Sequence, residues 1–204
     1  MNEEAFFNPI RYFPPITHPP RTNNMNNFST LISNRRSTRK FKPQLLTSEQ
    51  VITILQSALK APSSQGKKAW QLVAIEDKEM LQKLSLSKEH GAEFIAESAL
   101  AVVVLGDCML SDAWMEDATI AAIFMQLQAE DLGLGSCWCQ INKRETADQT
   151  DAADYVRQLL DIPYQLEVLS IIAFGHKGET KKPIVDEDLA WEKVHIEQFT
   201  LRES

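Results

Sequence analysis

The stretch DAWMEDATIAAIFMQLQAEDLGLGSCWC, residues 112–139, carries the reading of the fold. About residues 112–132 form the longest helical pattern in the chain. At its middle, Ile120, Ala121, Ala122, Ile123, Phe124 and Met125 are apolar almost all round, as expected of a helix buried in a core or a subunit interface. Gly133-Leu134-Gly135 stops that helix, because glycine accepts the left-handed backbone that follows a last turn. Residues 136–139 then read as a short strand.

Working outward, two other apolar runs have strand length. LAVVVL at 100–105 is β-branched and has no alternation, which predicts a central strand buried on both faces. EVLSIIAF at 167–174 is the last such strand, and residues 70–76 are the first. Helices are expected at 28–32, at 78–84, at about 92–98 and at 152–160. Thr47 with Gln50 forms a capping box ahead of Val51, Ile54, Leu55, Ala58 and Leu59, one apolar helical face. Several helices fall consecutively between strands, so a layered α+β sandwich fits better than a regular βαβ alternation.

Residues 1–27 hold Pro9, Pro14, Pro15, Pro19 and Pro20 and show little periodicity, which predicts an extended or disordered arm. Residues 28–204 then make one domain, a normal size for a chain of 204 residues. The tail carrying Trp191, Val194 and Phe199 is too apolar for a free end and is expected to dock.

Composition narrows the function. With 44% hydrophobic and 24% charged residues the chain is in the globular range, and a net charge of −7 argues against adhesion to nucleic acid or an acidic membrane. No apolar run reaches membrane-spanning length, and no charged then apolar leader pattern opens the sequence. A cytoplasmic setting is the expectation. It agrees with three cysteines, Cys108, Cys137 and Cys139, that make neither a disulfide framework nor a zinc spacing. The four histidines are scattered, so no metal site is expected, and no hydrolase signature or catalytic carboxylate pair stands out.

Three segments carry possible chemistry. Arg35-Arg36-Ser37-Thr38-Arg39 offers guanidiniums and hydroxyls to a phosphate through charge-assisted bonds; the same letters also read as a solvated basic face at a helix end. The loop from Lys60 through Pro62, Ser63, Ser64 and Gly66 to Lys68 has hydroxyls, N–H groups and lysines for a polar ligand, or is a surface turn. Gly133 to Gln140 permits close backbone approach with Trp138 beside a flat ring, or is a helix stop entering a buried strand.

Together, and in this order, the segments resemble one family. Arg35-Arg36-Ser37-Thr38-Arg39-Lys40-Phe41, Pro62-Ser63-Ser64 followed by Trp70, and Gly133-Leu134-Gly135-Ser136-Cys137-Trp138 are similar to signatures of the nitroreductase family. Trp191-Glu192-Lys193-Val194-His195 resembles the ends of its shorter members. The resemblance implies an α-β-α sandwich with a central, mostly antiparallel sheet, in an intertwined homodimer with FMN at the subunit interface. Arg35, Arg36 and Ser37 would hold the phosphate and ribityl chain, and Arg39 would lie near the N1/O2 edge of the ring. Lys60, Pro62, Ser63, Ser64 and Gly66 would come from the other subunit. Trp138, Cys139 and Gln140 would border the ring, and Lys181 or Lys182 would reach the phosphate.

The implied activity is FMN-dependent transfer of hydride from NADH or NADPH to a small electrophile of the nitroaromatic, quinone or enone type. It would be a ping-pong scheme without a catalytic side chain. A flavin module that stores or senses redox state, and a scaffold dimer without flavin, are the alternatives. Gly66, Lys68 and Ala69 depart from the family's loop, and Gln140-Ile141 from its pair beside the ring. A more basic site that favours an anionic acceptor would follow.

Overall fold

The computed structural model describes residues 28–199; the expected N-terminal arm, residues 1–27, lies outside them. Four strands form one sheet in the order β1-β2-β4-β3: β1 is Trp70–Ile75, β2 Leu100–Asp107, β3 Leu134–Gln140 and β4 Leu166–His176. Every neighbouring pair is antiparallel. The long runs β2 and β4 take the two central positions, where both faces are covered. Leu100, Val102, Val103 and Val104 are fully buried, each burial stabilising by about 1.5–3 kcal/mol.

Two cores lie on the two faces of the sheet. On one face, α2 (Ser48–Leu59) and α4 (Trp114–Asp131) cover Val102, Val104, Ile172 and Phe174. On the other, α3 (Lys78–Leu84), a 3₁₀ turn at Glu93–Glu97 and α5 (Ala152–Leu159) cover Val103, Ile171 and Ala173. This is the layered α-β-α arrangement. The helix expected at 92–98 is a 3₁₀ turn instead. The segment starts without a side-chain cap and ends five residues on at Ser98, whose hydroxyl donates to the Ile95 carbonyl, so it has only the length on which 3₁₀ geometry is usual.

The capping box at α2 forms as read: the Gln50 N–H donates to Thr47 Oγ1 at 3.2 Å, and Gln50 Oε1 accepts the Thr47 N–H at 2.9 Å. Helix α4 buries Ala118, Ala121, Ala122, Met125 and Ala129 against the sheet and α2. Its other side leaves Ile123 and Phe124 exposed, at 41% and 36%. Gly133 ends the helix at φ +72°, and β3 begins at Leu134, two residues earlier than expected. The tail docks only in part. Ile184 donates its N–H to the Ser33 carbonyl at 2.9 Å, whereas Trp191, Val194 and Phe199 remain exposed.

Candidate flavin site at the β3 edge

Helix α1 (Phe28–Asn34) stops before the arginine run, so residues 35–41 are extended rather than a basic helix end. They follow β3. Ser37 makes a parallel bridge with Ser136, and the Thr38 N–H donates to the Ser136 carbonyl at 2.9 Å. Gly135 makes this approach possible, since a Cβ there would stand 2.7 Å from Thr38 Cβ.

An extended backbone alternates its side chains, and the run is sorted accordingly. Arg35, Ser37 and Arg39 act electrostatically on Cys137: burial pushes its thiol up, while Arg39, a hydrogen bond with Ser37, Lys181 and Arg35 pull it down. Arg36 and Thr38 instead line a cleft of about 440 Å³ with Asn34, Lys42, Lys177 and Lys181. Two carboxylates border that cleft and both are engaged. Glu130 accepts from Lys177 Nζ at 2.7 Å; Glu179 accepts the Arg39 N–H at 2.8 Å and pairs with Lys181 at 3.3 Å. The Arg39 N–H holds the Glu179 carboxyl below the ordinary value against the opposing effect of burial, with Lys181 adding to the lowering.

The structure separates the two lysines that the sequence leaves open. Lys181 Nζ donates to the Ser37 carbonyl at 2.6 Å, within the arginine cluster. Lys182 is exposed, and it is its carbonyl that accepts from Arg36 Nη1.

Further along β3 the expected ring-bordering residues divide between the two faces. Trp138 and Gln140 share one face, where Trp138 Nε1 donates to Gln140 Oε1 at 3.0 Å and Gln140 Nε2 donates to the Asn142 carbonyl at 3.1 Å. Cys139 turns into the opposite core, its thiol on the Gly91 carbonyl, and burial pushes its pKa up to about 11. β3 is an edge strand, and the Ser136 carbonyl points outward to Thr38. By the two-residue period the main-chain N–H groups of Trp138 and Gln140 point the same way.

Lys60, Pro62, Ser63, Ser64 and Gly66 are elsewhere. Their loop leads into β1, at the opposite edge of the sheet, roughly 14 Å across three strand spacings. It is also displaced along the strands: Trp70 is level with Gly106 and Glu167, whereas Ser136 is level with Phe174. One chain does not bring this loop to the arginine cluster. Sequence reasoning missed Glu179 and Asp117, the second of which accepts the Ser64 N–H at 2.7 Å; each acts through a contact that nothing in its local sequence announces. Among the described residues no group of His, Cys, Asp and Glu is placed to hold a metal ion, and no helix is long and apolar enough to cross a membrane.

Comparison with known proteins identifies the family and the fold. The sequence pattern of the Nitroreductase family matches residues 32–103 and 110–176. The chain is 41% identical to the solved structure of an FMN-dependent nitroreductase from Clostridium difficile, with a TM-score of 0.81, covering 83% of this chain and 98% of that one. An Archaeoglobus fulgidus protein, provisionally named NADH dehydrogenase/NAD(P)H nitroreductase, is 30% identical over 83% of this chain and 97% of its own length. The FMN reductase (NADPH) of Bacillus subtilis is 27% identical over 78% of this chain and 70% of its own. With most of its sheet, both helical layers and its arginine run inside the matched residues, the chain belongs to the nitroreductase family.

Proposed function

We propose that the chain is an FMN-dependent oxidoreductase that works as a homodimer, takes electrons from NADH or NADPH, and reduces a small electrophile of the nitroaromatic, quinone or enone type. The observation that carries this reading is the arginine run crossing the open edge of β3 at Ser136, with Lys181 Nζ on the Ser37 carbonyl at 2.6 Å. The Arg35 guanidinium, the Lys181 ammonium and the Ser37 hydroxyl fit a phosphate dianion, and Arg39 with the outward N–H groups of Trp138 and Gln140 fits a polar ring edge. The names of the relatives support the same cofactor and reductant.

Bound FMN would supply the two-electron chemistry of a ping-pong sequence, with the reduced nicotinamide as hydride donor and the electrophile as acceptor. Arg35, Arg36, Ser37 and Lys181 hold the phosphate and ribityl chain. Lys182 contributes its carbonyl, which orients Arg36. Arg39 would serve the N1/O2 edge, where a cation stabilises the electron-rich reduced ring. Lys60, Pro62, Ser63, Ser64 and Gly66 reach the site from the partner subunit, which removes the distance that separates them within one chain. Cys139 supports the strand from the core side, and no side chain is assigned as catalytic acid or base.

The test is an absorption spectrum of the purified protein followed by anaerobic titration with NADH and NADPH. Flavin bands bleached by either reductant are expected. Protein that stays colourless after FMN is supplied overturns the reading, and a yellow protein that neither reductant bleaches is a storage or sensing module. Lys67 and Lys68 are exposed beside Gly66, so carboxylated nitroaromatics should turn over faster than neutral ones; a preference for the neutral compounds removes the anionic-acceptor expectation alone.

A further inference from the structure

Asp117 sits in the first turn of α4, only 2% exposed, and nothing in the proposed chemistry uses it. Removing a carboxylate from water is unfavourable unless its lone pairs are matched. Here Oδ1 accepts the Ser64 N–H at 2.7 Å, across 53 residues of sequence, while Oδ2 is buried without a hydrogen-bond partner among the described residues. The one hydrogen bond of this buried side chain among the described residues is thus the one to the loop.

That loop is strained. Gln65, Gly66 and Lys68 stand at φ 52°, 67° and 51°, in the left-handed region, and two of the three are not glycine. Internal bonds set its shape: the Gly66 N–H donates to the Ser63 carbonyl at 3.1 Å, the Lys67 N–H to the Ser64 carbonyl at 3.0 Å, and the Lys68 N–H to Ser63 Oγ at 2.9 Å. Strain of this kind persists only where the surroundings over-determine it, and it gathers at ligand clamps. The Asp117 bond ties the shaped loop to α4, the helix whose other face exposes Met115, Ile123 and Phe124.

We infer that Asp117 is a positioning residue for the flavin site, holding residues 62–68 in the geometry in which Ser63, Ser64 and Gly66 meet the flavin gripped mainly by the partner subunit. This rests on the function proposed above. With the N–H groups of Ser64, Gly66, Lys67 and Lys68 already engaged, the loop presents side chains and a shaped surface rather than a row of open donors.

The experiment compares full-length wild type, Asp117→Ala and Asp117→Asn for FMN dissociation constant and for the visible circular dichroism of the bound flavin. Asp117→Ala should weaken FMN by about tenfold or more, the scale of one charge-assisted bond, and change the flavin dichroism. Asp117→Asn keeps an acceptor for Ser64 and should stay within about threefold of wild type with a restored spectrum. A folded Asp117→Ala protein that binds FMN with wild-type affinity and spectrum overturns the inference, as does an Asn variant no better than Ala. Should Asp117→Ala fail to fold, Ser64→Pro deletes the donor instead and must lose affinity beyond a Ser64→Ala control; equal affinities overturn the inference. Wild type that takes up no FMN overturns the reading of the site itself, which separates the two failures.

Discussion

Cys137 and Cys139 share the core-facing side of β3, where burial raises both thiols, and Cys108 is the exposed one. A thiol-specific reagent at pH 8 should therefore label one cysteine quickly in the native protein, and Cys108→Ser should abolish that fast phase. The raised Cys139 value also has a consequence for stability. In the unfolded chain the thiol ionises near 9.0 and in the fold near about 11, so its contribution is intact below 9.0 and is lost as pH rises towards 11, with a slope of up to about 1.4 kcal/mol per pH unit. Denaturant midpoints measured under reducing conditions at pH 8, 9.5 and 11 should fall, and Cys139→Ala should flatten the trend. At the same scale, Lys181→Ala should weaken FMN by about tenfold while Lys182→Ala stays within about threefold, because only the first side chain enters the cluster. Fluorescence quenching on FMN titration reads both. Which lysine matters was not legible in the sequence, since adjacent residues of like type differ only in where the backbone aims them.

Helix α2, with its capping box, and the apolar strand β2 form where sequence places them, because caps and burial patterns are properties of a few neighbouring residues. The arginine run is different. Its letters permit a solvated helix end, and only pairing with Ser136, and then of Phe41 with Lys177, makes it an extended strip across the start of β3. Gly135 is the hinge of that pairing. Gly135→Ala would press a methyl group onto Thr38 and should cost about 1–3 kcal/mol in urea unfolding, with weaker FMN binding as the strip moves away from β3. An unchanged midpoint would mean that Thr38 yields without cost.

For the whole molecule, the apolar residues left outside are informative. Met115, Ile123 and Phe124 on α4, with Phe28 and Ile32 on α1, expose a surface next to a cleft of about 320 Å³ lined by Phe28, Leu31, Phe124 and Leu127. The proposed dimer would cover it, and would bring the Pro62–Ser63–Ser64 loop of one subunit to the β3 edge of the other. Replacing Ile123 and Phe124 together by Glu should shift sedimentation from dimer to monomer and lose FMN with it. A monomer that retains FMN at full affinity would place the whole site within one chain.

Sequence by itself determined the order and kind of nearly every element, the long helix α4 with its apolar middle and the family signature, since periodicity, caps and glycine stops are local. Tertiary structure decided what those elements do to one another. The strand order set the β1 loop and the arginine strip at opposite edges, register brought Lys181 to Ser37 across 144 residues, and packing buried Asp117 under Ser64. Contacts of that range depend on which strands become neighbours, and no short stretch of sequence holds that information.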